Sequence, residues 1–140
     1  MPFERILVAI DGSDASNRAF AKALELVTVT GASLTALAIE GPLPVYAATI
    51  GEVDEVKREK DAFFQSLAGR AREQAAAAGL ELEVVVRAGH AAEVISSFAT
   101  EHGYDLIVLG HKGHFLRDHL LGSTADRVAE HATCPVMIVR

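Results

Sequence analysis

Gly110-His-Lys-Gly113, followed after eight residues by Gly122-Ser123-Thr124, is the segment whose residue types and spacing best suit chemistry. It leaves an apolar run, Leu106 to Leu109, that predicts a buried strand, and it enters Thr124 to His131, which predicts an amphipathic helix. Glycine at the carboxyl end of a parallel strand lets backbone N–H groups approach an anion, because no Cβ stands in the way. A hydroxyl at the start of the next helix adds a donor where the helix dipole already favours negative charge. The combination predicts a phosphate site. Lys112 lies between the first two glycines, with Arg117 and Arg127 nearby, so the local charge opposes the net charge of −6. A lysine in such a loop is equally at home as a solvated surface charge.

A second chemical signal is Asp11 in the turn Asp11-Gly-Ser-Asp14, at the end of the apolar run Arg5 to Ile10. Its carboxylate suits ribose hydroxyls or an adenine amine; alternatively, Asp11 or Ser13 simply caps the helix that follows. Other signatures are missing. There is no G-x-x-x-x-G-K-[ST] phosphate loop, no G-x-G-x-x-G dinucleotide turn and no G-x-S-x-G elbow. His111, His114 and His119 crowd one segment, but their spacing fits no standard zinc pattern and no carboxylate or cysteine cluster completes a shell. Cys134 has no evident base and precedes Pro135 and an apolar run, so a buried structural role is expected. No carboxylate pair is placed for acid–base work: Glu93, Glu101 and Asp105 read as helix-surface or strand-start residues.

The elements that must position these residues alternate. Arg5 to Ile10, Ser33 to Ile39, Glu83 to Arg87, Leu106 to Leu109 and Val136 to Val139 predict strands. Between them, Ala19, Phe20, Ala23, Leu24 and Val27 recur at helical spacing up to a stop at Gly31. Val53, Val56, Phe63, Leu67, Ala71 and Ala75 mark a helix over 52–78, and Val94, Ile95, Phe98 and Ala99 mark one over 91–102. This alternation predicts α/β architecture: an open five-stranded parallel sheet with helices on both faces, in one domain over 1–140. Ligands of such sheets sit where the winding reverses, so the two loop signals place strands 1 and 4 side by side. That gives the order 3-2-1-4-5, with 2-1-3-4-5 as the competitor. The connection from Gly41 to Gly51 is longer than the usual ~2–6 residues. It reads as a lid in which Val45, Tyr46 and Ile50 cover a base or a partner subunit, or else as an ordered surface loop.

Half of the residues are hydrophobic, yet no run reaches the ~20 needed to span a bilayer. A membrane role is not expected. The acidic balance argues against nucleic acid as the main partner. One cysteine and no signal-peptide pattern fit a cytoplasmic protein.

Taken together, the opening Ile6-Leu-Val-Ala-Ile-Asp-Gly-Ser13, the loop Gly110 to Thr124 and the ending His131-Ala-Thr-Cys-Pro-Val-Met-Ile-Val139 resemble the universal stress protein family over the whole chain. The resemblance implies its Rossmann-like, adenine nucleotide α-hydrolase-like fold, with strand order 3-2-1-4-5. It also implies a stress-response role as an ATP-binding switch or adaptor, with slow hydrolysis at most. By position, Ala9 and Ile10 would line the base, Asp11 would hold ribose or adenine, and the main chain of Ile39 would meet adenine. Leu109, Gly110, His111, Lys112 and Gly113 would wrap ribose and phosphates, with Gly122, Ser123 and Thr124 on the outer phosphates. The ligand would be ATP, or AMP or another adenine nucleotide, with Mg²⁺ or Mn²⁺ carried on the phosphates. A homodimer through the edge strand 136–140, and an unidentified protein partner, are implied as well. One departure stands out: ATP-binding members carry G-x2-G-x9-G-[ST], whereas eight residues, His114 to Leu121, separate Gly113 from Gly122 here. That shortening is compatible with a nucleotide-free interaction protein of the same family. A nucleotidyl transferase or hydrolase would have to rely on His111 or His114.

Overall fold

The computed structural model describes residues 3–41, 50–111 and 123–140. Within them run β1 (Arg5–Ile10), α1 (Asp14–Thr30), β2 (Ser33–Glu40), α2 (Ile50–Ala77), β3 (Glu83–Ala88), α3 (Ala91–Glu101), β4 (Leu106–Gly110), α4 (Ser123–His131) and β5 (Val136–Val139). The strands form one parallel sheet in the order β3-β2-β1-β4-β5. Strand 1 therefore has strands 2 and 4 as neighbours, as the two loop signals require, and the order 2-1-3-4-5 is set aside.

Side chains of β1 alternate between two cores, as the period of a strand demands. Ile6, Val8 and Ile10 face Ala19, Phe20, Leu24 and Val27 of α1 and Leu67, Ala71 and Ala75 of α2. Leu7 faces the other layer, with Ile95 and Phe98 of α3 and Ala125 and Val128 of α4. Helix α1 starts where Ser13 Oγ accepts the Ser16 N–H at 3.2 Å, and it stops at Gly31, whose φ of +75° suits a residue without a Cβ.

Helix α2 departs from expectation. Leu67, Ala71 and Ala75 are buried, but Val53 and Phe63, from the same apolar stripe, are 37% and 45% exposed. The reason is length. A helix of 28 residues runs ~42 Å, whereas the longest strand, with 8 residues, covers only ~26 Å. The amino-terminal half of α2 therefore overhangs the sheet. This helix also begins at Ile50, so the connection expected over 41–51 is shorter at its far end. Val45 and Tyr46, and with them the suggested lid, lie outside the described residues.

At the amino ends of the strands, the Asp105 carboxylate accepts the Glu4 and Arg5 N–H groups at 2.8 and 3.1 Å. Its own N–H donates to the Arg5 carbonyl. Beside it the Tyr104 hydroxyl donates to Thr35 Oγ1 at 2.7 Å, both residues being buried, and the Arg5 guanidinium lies 4.6 Å from the Tyr104 ring centre. Tyr104→Phe leaves the Thr35 hydroxyl without that partner in an apolar layer. The expected loss is about 1–3 kcal/mol in urea denaturation, and adding Thr35→Val should recover part of it. A loss that the second substitution deepens would show that the hydroxyl pair is not the interaction at stake.

Candidate functional site

The winding reverses at β1: α1 and α2 cover one face of the sheet, while α3 and α4 cover the other. Loops leaving the carboxyl ends of β1 and β4 consequently diverge, and a crevice is left between them. In this structure it is a cavity of about 330 Å³. Its floor is apolar, made by Ala9 of β1, Leu37 and Ile39 of β2, Leu109 of β4 and Ile95 of α3. Its rim is polar and is built by three turns: Asp11 with Ser16, Gly89 with His90, and Gly110.

Each turn is held by local hydrogen bonding. Asp11 Oδ1 accepts the Ser13 N–H at 2.9 Å, an Asx turn, while the Asp11 N–H donates to Ser16 Oγ at 3.0 Å. Of the two readings of this turn, capping of α1 therefore belongs to Ser13. Asp11 shapes the turn, and its exposed carboxylate stands on the crevice rim. Gly110 packs so tightly on α1 that a Cβ there would fall on the Ala15 carbonyl group, so glycine is required by the fold as well as by any ligand.

Of the residues expected from the sequence, the crevice gathers Ala9, Ile10, Asp11, Ile39, Leu109 and Gly110. His111 follows directly, its N–H donating to the Val139 carbonyl at 2.7 Å and extending the ladder toward β5. Ser123 opens α4, with Thr124 half-buried in the first turn. Because α4 runs back from β4 toward the start of β5, its amino terminus belongs to the carboxyl edge of the sheet. Lys112, Gly113 and Gly122 lie outside the described residues, as do His114 and His119. Among the described residues no group of three His, Cys, Asp or Glu is disposed to hold a metal ion.

Gly89 and His90 were missed in the sequence because they fall between the end of one expected strand and the start of one expected helix. Their signal was the same as that of Gly110, a glycine at a strand's carboxyl end before a helix. Ser16, Leu37 and Ile95 were invisible for a different reason: each reads locally as part of a helix or strand.

Cys134 is half-buried rather than buried, because β5 lies at the sheet edge, and it packs beside Ala132 and Val136 on the α3–α4 layer. Burial raises its thiol pKa and the charge of Asp105 raises it further, with a backbone hydrogen bond opposing. A raised value keeps the thiol protonated at neutral pH. The rate of alkylation by iodoacetamide should accordingly rise with a midpoint above that of a free cysteine in the urea-unfolded chain. A midpoint at or below the unfolded one would mean that the site activates the thiol.

A model of the universal stress protein family matches residues 2–140. Universal stress protein YxiE of Bacillus subtilis is 33% identical over 147 residues, covering 99% of each protein. The structure of universal stress protein UspA from Lactobacillus plantarum superimposes with a TM-score of 0.83 at 27% identity, over 100% of this chain and 99% of that one. A universal stress protein crystallised in complex with cAMP gives a TM-score of 0.74 at 26% identity, over 100% and 99%.

Proposed function

The chain belongs to the universal stress protein family, and from that premise we propose that it binds an adenine nucleotide in the crevice between β1 and β4. The observation that carries this reading is the crevice itself: a cavity of about 330 Å³ with an apolar floor, lined from Ile39 past Asp11 to Gly110. A flat, weakly solvated base suits the floor of Leu37, Ile39, Ile95 and Leu109, while ribose hydroxyls suit the Asp11 carboxylate. The phosphates then lie toward Gly110 and the amino terminus of α4, where Ser123 and Thr124 present backbone N–H groups and the dipole favours anions. Lys112, Gly113 and Gly122 complete that end by their place in the sequence. The similar protein that binds cAMP supports adenine as the base.

In this reading the ligand is ATP, with Mg²⁺ or Mn²⁺ held mainly by phosphate oxygens. The protein works as a stress-response switch or adaptor in the cytoplasm, with slow hydrolysis or none. It acts as a single unit over 1–140, and as a homodimer paired through strand 136–140. Support for the pairing is the edge position of β5, whose four residues are all half-exposed. An apolar edge strand invites a partner strand. Among the described residues no helix is long and apolar enough to cross a membrane. The spacing of eight residues between Gly113 and Gly122 favours a second reading, a nucleotide-free adaptor.

Isothermal titration of ligand-stripped protein with ATP and Mg²⁺ separates the two. Micromolar affinity is expected for the native chain. Gly122→Val should weaken it by at least about tenfold, since in this reading the motif glycine is what lets backbone N–H groups approach phosphate. Absence of heat and of thermal shift at millimolar ATP would overturn the nucleotide reading and leave the adaptor.

A further inference from the structure

We propose that β3 is a surface for self-association: it pairs antiparallel with β3 of a second copy, about a two-fold axis at Val85. The proposal is independent of the nucleotide reading and concerns the sheet edge opposite β5.

Among the described residues β3 pairs only with β2, so the other side of its backbone meets no strand. Which groups that side presents is fixed by one hydrogen bond. The Gly89 N–H donates to the Glu40 carbonyl of β2 at 3.0 Å. Backbone groups of successive strand residues point to alternate sides, so Glu83, Val85 and Arg87 turn theirs toward β2. Val84, Val86 and Ala88 turn theirs outward. The Arg87 guanidinium agrees with this assignment, since it donates to the outward Val86 carbonyl at 3.2 Å.

An open apolar edge invites another strand, and natural proteins often blunt such edges with charge. The charges of β3 have a different consequence, because Glu83-Val-Val-Val-Arg87 complements its own reverse. With the axis at Val85, Glu83 of each copy lies directly across from Arg87 of the other. Val84 of each copy then exchanges both backbone hydrogen bonds with Val86 of the other. Moving the axis to Val84 or Val86, the next positions that the hydrogen bonding allows, sets Glu83 or Arg87 against Val85 instead. Opposite charges facing each other across a strand pair are stabilising, so one register is favoured.

Helix α2 repeats the complementarity on its side of the sheet. Between α2 and the β3 edge lies a groove of about 480 Å³, where Phe64 and Ala68 meet Val84 and Val86. Val86 is 37% exposed there. Asp61 and Arg72 line the same groove and lie eleven positions apart on one stripe of the helix, so the stripe is acidic at one end and basic at the other. A two-fold axis reverses the second helix and brings Asp61 of each copy level with Arg72 of the other. Because α2 packs over both β2 and β3, the two helices would lie two strand spacings apart, about 10 Å, the usual distance of packed helices. The second copy thereby fills the groove that one copy leaves open.

Disulfide trapping reads this edge alone, whatever β5 does. In a Cys134→Ser background, Val85→Cys and Glu83→Cys are each oxidised with copper phenanthroline. Residues at 85 face each other in a non-hydrogen-bonded pair with Cα atoms about 4.5 Å apart, within disulfide reach. Residues at 83 are four positions out of register with each other, well beyond it. Val85→Cys should therefore form the covalent dimer at least about tenfold faster, although Glu83 is the more exposed residue. Adding Glu83→Arg or Arg87→Glu to Val85→Cys sets like charges across the pair and should slow trapping about tenfold. Adding both should restore it, with melting temperatures followed in every variant to separate pairing from folding. Equal or faster trapping at 83, or a double reversal that traps as slowly as the single ones, would overturn the proposal.

Discussion

The pairing of β1 with β4 is the constraint on which the rest of this structure depends. A strand that is first in sequence acquires as its neighbour a strand about a hundred residues later, and the Asp105 carboxylate closes that junction onto Glu4 and Arg5. Parallel strands offer no short turn to set their register, so a charge-assisted bond from a side chain to two backbone N–H groups is an effective substitute. At the opposite end of the same pair, Gly110 packs directly on the Ala15 carbonyl. The junction is thus held at both ends, and the crevice opens where its two outgoing loops part to opposite faces of the sheet.

The crevice inherits its character from that arrangement. Its floor is the upper layer of the core beneath α3, which is why Leu37, Ile95 and Leu109 serve packing and cavity alike. Its rim consists of turns whose hydrogen bonds are satisfied within the turn or by a neighbouring strand. Asp11 shapes its own turn through Ser13 and Ser16, and Gly89 ties β3 to β2.

The edges of the molecule follow different physics. Strand β5 is short and half-exposed, and the first half of α2 carries Val53 and Phe63 beyond the sheet. Both are apolar surfaces whose extent comes from a mismatch of lengths or from a terminal position in the sheet. The half-burial of Cys134 has the same origin, since only the α3–α4 layer covers it.

The sequence by itself determined the elements and their order. Period-two apolar runs and period-3.6 stripes are local properties, as are the Ser13 cap and the Gly31 stop, and local signals survive without knowledge of the fold. The arrangement of β1 beside β4 was also legible, because two glycine- and Asp-bearing loops make sense only if they share one edge. Tertiary structure alone decided which stretch of an apolar stripe is covered, since a periodic pattern names a side but not the length of the surface that meets it. Phe63 and Leu67 share one stripe and meet different fates for that reason. It also decided that Gly89 and His90 stand at the crevice with Asp11 and Gly110. Residues distant in sequence converge only when strand order and register are set, and nothing local encodes that convergence.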